Sequence, residues 1–329
     1  MGQRLARFRR MLGPFFGLIL ITLLFAVLTR ASGSFMTAYN WRTIGVQTVI
    51  TATAALGMTI VIISGGIDLS VGSATALVTV VCALAVKDHG LSSSAALLVG
   101  VLVGVVCGVL NGALVVGLRV VPFIITLGTM KVFRGLAKWL SSSTSVDIPI
   151  GARTDWMREM LAIEPKGWLG IAPGIWMVLG LAALTATFMH VSIFGRHVYA
   201  IGSNQATATL CGVKVGRTKL WIYGLAGLAT GLAGVLQFLY LRGTGDPTTA
   251  DGLELKVIAA VVIGGGSLAG GEGSILGTLI GCLFMSILDN GCVHTGISNA
   301  SQDVIIGSII VAAVTIDRLR RSAEGPEGE

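Results

Sequence analysis

Ten apolar runs, separated by short polar or glycine-rich breaks, make up most of this chain of 329 residues. An α-helix needs about 20 mainly apolar residues to cross a hydrocarbon core of about 30 Å, whereas a barrel strand alternates over about ten residues. The runs therefore predict an all-α integral membrane protein with about ten transmembrane helices and glycine-rich helix breaks. They cover residues 12–28, 45–64, 71–86, 95–118, 123–140, 173–191, 220–241, 255–268, 275–288 and 304–316.

Composition agrees with a membrane protein and argues against several soluble classes. The chain is 53% hydrophobic and 12% charged, whereas soluble domains carry about 25% charged residues. Its net charge of +7 comes from basic residues near the ends of the runs, which indicates membrane topology rather than nucleic-acid binding. The five cysteines include no CxxC pair. They predict small packing residues, with no disulfide and no metal site.

The basic residues also predict that both termini are cytoplasmic. Residues 1–11 carry four Arg before the first run, which is longer than the apolar part of a signal peptide, about 7 to 15 residues. We therefore interpret this run as a membrane anchor, with a signal peptide as the alternative. An even number of helices puts twelve Lys and Arg on the side of the N-terminus and eight on the other side, as the positive-inside rule requires. Residues 12–317 then form a single transmembrane domain and residues 318–329 a cytoplasmic tail.

Two loops are longer than the rest. Residues 141–172 lie on the outer side in this topology and contain Trp156 and Trp168. They either dock an extracytoplasmic partner or form an interfacial loop with aromatic anchors. Residues 194–220 lie on the cytoplasmic side. No polar stretch is long enough for a nucleotide-hydrolysing domain.

The 194–220 segment contains signals for a short helix. Ser203 or Asn204 can cap the start of the helix, and Gly212 can end it in a left-handed turn. A helix over residues 204–211 is only about 12 Å long, which is too short to be stable alone in water.

Support from a partner would explain so short a helix. Ala206 and Leu210 lie four residues apart on one face, so they predict an apolar seam that fits a groove of another protein. On spacing alone, an ordinary cytoplasmic loop is the alternative.

The first glycine break, residues 65–73, reads GGIDLSVGS. Gly65 and Gly66 disfavour a helix, and Gly72 is a third glycine in the same break. An aspartate at membrane depth lines a cavity or is paired. We expect Asp68 to cap the helix that starts one or two residues later; binding of a substrate or a proton is the alternative.

The second glycine break, residues 264–274, reads GGGSLAGGEGS. No strand precedes it and apolar helices flank it, so a nucleotide-binding loop is disfavoured and a tight reversal between close-packed helices is predicted. The two breaks together suggest an internal repeat, although glycine richness alone could produce the match.

Several polar side chains lie inside the apolar runs or directly after them, and they are candidates either for bonds between helices or for a substrate pathway. They are Asn111, Thr126, Thr129, Gln237, Asp289 and Asn290. Catalysis finds little support, because neither GxSxG nor HExxH is present. We expect no catalytic residue and no metal ligand.

The chain resembles the permease subunits of bacterial ATP-binding-cassette importers of the ribose, xylose, arabinose and galactoside type. The resemblance covers nearly the whole chain and rests on an ordered set of motifs. These are GGIDLSVGS at 65–73, LNG at 110–112, PFIITLGTM with RGL at 122–136, YAIGSNQATATLCGVKV at 199–215, LELKVIAAVVIGGGSLAGGEGS at 253–274 and DNG at 289–291.

The resemblance implies a multi-pass subunit in the bacterial cytoplasmic (inner) membrane that moves a ribose-like pentose or a hexose inward by alternating access. It also implies a second permease copy or paralogue, a cytoplasmic ATPase and an extracytoplasmic sugar-binding protein as partners. ATP is used by the ATPase, and this chain binds no cofactor. Asn111, Thr126 and Asn290 are our choices for lining the pathway.

The resemblance further implies that the 194–220 segment couples this chain to the ATPase. Relatives read GGNxxAAxxSGI, and four positions of this chain keep that pattern: Gly202, Asn204, Ala206 and Gly212. Leu210 joins them as the second member of the apolar seam. Ser203, Thr207 and Cys211 depart from the pattern but are small residues.

Three alternatives remain open on the sequence. A branched-chain amino-acid permease has a similar architecture, with a charged substrate. A proton-coupled secondary transporter could use Asp68 or Asp289 as its proton carrier. A membrane-embedded enzyme is disfavoured because no nucleophile–base pair is evident.

Overall fold

The computed structural model describes residues 2–30, 33–152, 154–167 and 170–323 of the chain. Within these residues the fold consists of helices and one two-stranded antiparallel sheet. The helices are α1 (Gly2–Leu28), α2 (Ala38–Ile63), α3 (Val71–Lys87), α4 (Ser93–Leu118), α5 (Pro122–Leu140), α6 (Asp155–Glu159), α7 (Pro173–Val191), α8 (Ile193–Ser203), α9 (Gln205–Leu210), α10 (Val215–Tyr240), α11 (Leu253–Ile263), α12 (Ile275–His294) and α13 (Asn299–Ala323).

Every predicted apolar run falls on one of these helices, which confirms the all-α membrane fold. In the described chain, five helices are long and apolar enough to cross a membrane, namely α2, α4, α7, α10 and α12. The predicted number of ten spans is not confirmed by this criterion. The run at 255–268 was predicted too long, because its helix α11 has 11 residues and ends at Ile263.

The two glycine breaks end their preceding helices in the same way. After α2, Gly66 N donates to Val61 O at 3.0 Å and Gly65 has φ +79°. After α11, Gly266 N donates to Val261 O at 2.8 Å and Gly265 has φ +89°. A left-handed residue with this bond back to the last turn is a common helix terminus that favours glycine.

The centre of the fold is a close contact between α4 and α10. A Cβ at Gly104 or Gly108 of α4 would overlap backbone atoms of α10, and Gly227 and Gly231 of α10 face them. Helix association in lipid depends on close packing, since lipid tails are as apolar as the side chains. The glycines therefore hold the two helices together across more than one turn.

Helix α2 packs on the other side of α10 and is buried over most of its length. Gly57 of α2 lies against Ala226 and Ala229 of α10. Helices α4 and α7 are far more exposed than α2 and form the outer surface of the protein.

The loop at 141–172 is tied to the chain after α10. Its strand β1 (Val146–Asp147) pairs antiparallel with β2 (Thr244–Gly245), with Val146 opposite Gly245. The loop also contains a 3-10 turn (Ile150–Ala152) and α6. Trp156 is 45% exposed, and Trp168 lies outside the described residues.

Candidate functional site

The 194–220 segment contains two helices joined at Asn204. Ser192 caps α8 by accepting from Gly195 N at 3.0 Å, and the Asn204 side chain caps α9 by accepting from Thr207 N at 2.9 Å. Gly212 follows α9 with φ +83°. The predicted cap, short helix and left-handed turn are confirmed.

The predicted seam of α9 faces away from the rest of the chain. Ala206 is exposed and Leu210 is 88% exposed, whereas Ala208 points inward and is buried. Lys219 Nζ donates to Gln205 Oε1 at 2.7 Å and ties α9 to the start of α10. A short helix held by its neighbours and with an apolar outer face has the geometry of a docking element.

The last turn of α8 meets both glycine breaks at one place, which we term the junction. Gly271 N donates to Ile63 O at 2.8 Å. Gly202 lies against the same carbonyl so closely that a Cβ at this position would overlap Ile63 O. A Cβ at Gly270 would stand 2.8 Å from Gly202 O and 2.9 Å from Gly65 N. Three segments that are distant in sequence therefore touch through backbone atoms.

Asp68 of the first break lies in a closed polar cluster and is 4% exposed. Its Oδ1 accepts from Ser70 N at 2.8 Å and from Ser70 Oγ at 2.7 Å. Asn111 Nδ2 donates to Ser70 Oγ at 2.8 Å. Since α3 begins at Val71 with Ser70 at its N-cap, Asp68 fixes the turn before the helix and does not cap the helix itself.

Two other residues complete this region. Thr126 Oγ1 donates to Ile67 O at 3.1 Å and is fully buried. Gly72 at the start of α3 lies against Ala250 O and Glu254 Oε2, where a Cβ would overlap both atoms. The first break is thus packed between α4, α5 and the start of α11.

A polar cavity of about 610 Å³ lies at the end of the molecule opposite the junction. It is formed by the first half of α2, the end of α10, the start of α11 and the end of α12. Most of the polar side chains that line it are amides and hydroxyls. They include Asn40, Thr43, Gln47, Thr51, Gln237, Tyr240, Ser286, Asn290 and His294, together with Lys256, Asp289 and Gln302.

Two charged groups of the cavity, Lys256 and Asp289, are paired with each other, and a third, Asp251, is 90% exposed with its Oδ1 3.6 Å from Arg134 Nη2. Lys256 Nζ lies 2.7 Å from Asp289 Oδ2, with the two side chains 29% and 27% exposed. Gln302 Nε2 donates to Asp289 Oδ1 at 2.5 Å. The carboxylate thus joins α11, α12 and α13.

Amide side chains join α2 to α12 beside this pair. Asn40 and Asn290 exchange two hydrogen bonds of 2.9 Å. His294 Nε2 lies 3.0 Å from Asn40 Oδ1 and His294 Nδ1 lies 3.0 Å from Ser34 Oγ. Gln47 Oε1 is buried without a hydrogen-bond partner, and water or a ligand hydroxyl in the cavity is the natural donor to it.

The structure divides the six polar candidates from the apolar runs into two groups. Gln237, Asp289 and Asn290 line the cavity, whereas Asn111, Thr126 and Thr129 are buried away from it. Of the three pathway choices, Asn290 alone is in the cavity. Sequence reasoning missed Asn40, Gln47 and Lys256. Gln47 carried the same signal as the others, an amide inside an apolar run.

The described part of the chain contains no group of three or more His, Cys, Asp or Glu residues placed to hold a metal ion. Four of the five cysteines are buried, and Cys211 after α9 is exposed. The amides and hydroxyls that line the cavity can form many hydrogen bonds to a neutral polar solute. The exposed face of α9 can dock a protein.

Comparison with known proteins identifies the family. The family described as branched-chain amino acid transport system / permease component matches residues 40–314. The chain belongs to this permease family. No solved structure matches the permease.

Curated relatives cover nearly the full length of the permease. The ribose import permease protein RbsC of Bacillus subtilis is 41% identical over 309 residues, 93% of this chain and 92% of the relative. RbsC of Escherichia coli K12 is 36% identical over 307 residues, 92% and 93% of the two chains. The L-arabinose transport system permease protein AraH of the same strain is 33% identical over 309 residues, 93% and 91%.

These relatives show which class of protein, among the alternatives left open by the sequence, this chain resembles. They are permease subunits of transport systems, and none of the findings indicates a catalytic family. A proton-coupled secondary transporter finds no support among them. The apolar runs predict a multi-pass membrane protein. This prediction agrees with the naming of the relatives as permeases and with the five long apolar helices of the described chain.

Proposed function

We propose that this permease is the membrane-spanning subunit of an ATP-driven importer that moves a monosaccharide, a ribose-like pentose or a hexose, into the cytoplasm. The observation that carries the proposal is the arrangement of two sites at opposite ends. A polar cavity of about 610 Å³ lies at one end, and the exposed seam of α9 lies at the other.

The lining of the cavity favours a sugar over an amino acid. Gln47 and Gln237 offer amides, which can donate to and accept from hydroxyl groups, and Gln47 Oε1 has no hydrogen-bond partner within the protein. Lys256 and Asp289 neutralise each other, so neither is free to bind a charged end of an amino acid. The relatives named for ribose and arabinose support the same choice.

Transport requires partners that hydrolyse ATP and deliver the sugar. We propose a cytoplasmic ATPase that binds ATP, an extracytoplasmic sugar-binding protein, and a second permease copy or paralogue that completes the complex. ATP-driven closure of the ATPases would shift the permease between two conformations, which requires only that the ATPase binds one conformation more tightly. The permease itself then carries no ATP and no catalytic residue.

The arrangement of the two ends supports a topology with ten spans. The 194–220 segment would face the cytoplasm, as would residues 1–11 and 318–329, and residues 12–317 would form the transmembrane domain. The 141–172 loop is fastened next to the cavity end by the pairing of β1 with β2, on the side opposite α9. This placement agrees with an extracytoplasmic loop beside the entrance for the sugar.

We assign coupling to five residues of the 194–220 segment. Ala206 and Leu210 supply the apolar seam, Asn204 caps α9, and Gly212 ends it. Gly202 connects the segment to the junction. Simultaneous substitution of Asn204 and Gly212 by Ala and Val removes the cap and strains the turn. We expect ATP hydrolysis to continue without transport.

Uptake of radiolabelled D-ribose tests the function. Cells that lack their own ribose permease would express this permease with the ATPase and binding protein from the same source. We expect ATP-dependent uptake that an excess of L-arabinose or xylose reduces and L-leucine does not. Uptake that survives ATP depletion but stops with a protonophore, or that only leucine inhibits, would overturn the proposal.

Cys211 provides a separate test of the docking face. It follows α9 directly and is exposed, so a maleimide should label it in membranes that contain the permease alone. We expect the ATPase to protect it from labelling, with Cys211→Ser as the unlabelled control. Equal labelling with and without the ATPase would show that α9 does not dock it.

A further inference from the structure

Helices α2 and α12 are fastened to each other at three levels. At the cavity end Asn40 and Asn290 exchange two hydrogen bonds of 2.9 Å. Further along, Thr59 Oγ1 and Thr278 Oγ1 lie 2.8 Å apart. At the junction, Ile63 O accepts from Gly271 N, in the segment that leads into α12.

These contacts extend from one end of the molecule to the other. From Asn40 to Ile63 the helix has a length of about 35 Å at 1.5 Å per residue, comparable to the thickness of a bilayer core. Helices joined at both ends, and again one turn from the junction at Thr59, resist sliding past each other. A displacement at the junction therefore reaches Asn40 and Asn290, which line the cavity.

The last turn of α8 is seated on this pair without side chains between the backbones. Gly202 lies against Ile63 O, and a Cβ at Gly271 would stand 3.1 Å from Ser203 Cα. Tyr199 Oη donates to Gly273 O at 2.9 Å. Burial raises the pKa of Tyr199, so the hydroxyl keeps the proton that it donates. A displacement passes between backbone atoms in contact with little loss, because no side chain between them can change its rotamer to absorb it.

We propose that α2 and α12 form one rigid lever, and that Gly202 is the positioning residue through which the 194–220 segment moves it. The inference rests on the proposed function and adds the route by which movement at α9 reaches the cavity. Movement of α9 by an ATPase shifts α8, α8 displaces Ile63 and Gly271 together, and the lever changes the shape of the cavity at Asn40 and Asn290. No step requires motion along α10.

The alternative route runs through α10, which follows the 194–220 segment in the chain. The close glycine contact of α10 with α4 argues against sliding of α10 along its axis, and the contact of Gly57 of α2 with Ala226 of α10 likewise restricts the lever to tilting against α10. Any axial movement of α10 would drag α4 along or separate backbones that have no side chains to fill the gap.

The first test is Gly202→Ala in the complete transporter, reconstituted with its ATPase and binding protein. The new methyl group overlaps Ile63 O and should move α8 off the junction while α9 still docks. We expect ATP hydrolysis to stay within about twofold of wild type and D-ribose uptake per ATP to fall about tenfold or more, a typical size for coupling between sites.

Gly180→Ala on α7 is the matched control, since a Cβ there meets no atom within 4 Å. We expect it to transport like wild type. If Gly202→Ala lowers hydrolysis and uptake equally, so that uptake per ATP is unchanged, the role of Gly202 is overturned. If wild type takes up no ribose at all, the proposed function fails and not the route.

The second test does not depend on Gly202. Thr59→Cys with Thr278→Cys places two thiols at the middle level, where the threonine hydroxyls are 2.8 Å apart. We expect transport to persist after oxidation to a disulfide, because the two helices already move as one body, and reduction to change it little. Loss of uptake on oxidation with recovery on reduction would show that α2 and α12 slide past each other and would overturn the lever.

Discussion

The junction and the cavity are built from different kinds of contact. At the junction, Gly202, Gly270 and Gly271 bring three backbones together without side chains between them. In the cavity, contacts run between side chains, such as those of Lys256 and Gln302 with Asp289. Backbone contacts fix one geometry, whereas amide and charged side chains can exchange one partner for another. The junction is therefore suited to transmitting movement, and the cavity to rearranging around a solute.

The largest loss of stability should come from adding a side chain where two backbones touch near the junction. A Cβ at Gly277 would overlap Gly264 O, so we expect Gly277→Ala to destabilise the permease by about 3 kcal/mol, at the upper end for overpacked sites. Its thermal stability in detergent and its abundance in membranes should both fall. Gly307→Ala on α13, where a Cβ meets no atom within 4 Å, is the control. Equal stability of the two variants would contradict the close backbone contact between α12 and the end of α11.

Lys256→Met should have the next largest effect, at the cavity end. It leaves the half-buried Asp289 carboxylate without its cation, and we expect D-ribose uptake to fall about tenfold, since an unpaired buried charge costs several kcal/mol. Adding Asp289→Leu removes the charge as well, and uptake should partly recover. Uptake of the double variant at or below that of Lys256→Met would show that the carboxylate acts on the sugar directly.

Asp68→Asn tests a polar cluster that lies outside both regions. Asn keeps one oxygen for the Ser70 N–H and Oγ–H but puts an amide NH₂ in place of the other oxygen, which lies 3.4 Å from the donor Asn111 Nδ2, so we expect a loss of about 1 to 2 kcal/mol of stability. Uptake measured between pH 6 and pH 8 should keep the pH dependence of wild type. Unchanged stability with abolished uptake would instead assign substrate or proton binding to Asp68.

The smallest effect is expected from Thr59→Val. It removes the hydroxyl pair with Thr278, and hydrogen bonds between membrane helices average about 0.6 kcal/mol. Thermal unfolding should show a small decrease, with Thr187→Val, whose hydroxyl bonds only to Ala183 O of its own helix, as the control. A decrease in stability larger than that of Asp68→Asn would mean that the Thr59–Thr278 contact contributes more to the stability of the fold than its geometry indicates.

The sequence predicted the helices well because the apolar runs are a strong local signal. It also predicted the Asn204 cap and the turn at Gly212, which depend on neighbours within a few residues. It overestimated α11, because the apolar run continues past the glycines that end the helix at Ile263. In the described chain, five of the ten predicted runs form helices that are long and apolar enough to cross a membrane, whereas others form shorter helices, such as α3 with 17 residues and α11 with 11.

The functional regions were harder to predict because they depend on contacts between distant segments. Both glycine breaks and the 194–220 segment were noted, yet nothing local shows that Gly202, Gly65 and Gly270 meet. The polar candidates were found by residue type, and only the packing separates Asn290 in the cavity from Asn111 in the closed cluster.

The close contact between α4 and α10 also has a consequence for synthesis of the protein. Helix α4 ends at Leu118 and α10 begins at Val215, so the glycine face of α4 leaves the ribosome long before its partner exists. At about 5 to 20 residues per second, roughly 5 to 20 s pass before α10 follows. During this interval the glycine face of α4 lacks the helix that it packs against in the finished fold, and whatever surrounds it must be displaced when α10 packs. Biogenesis of this permease should therefore respond to slow codons between α4 and α10 more strongly than to slow codons after α10.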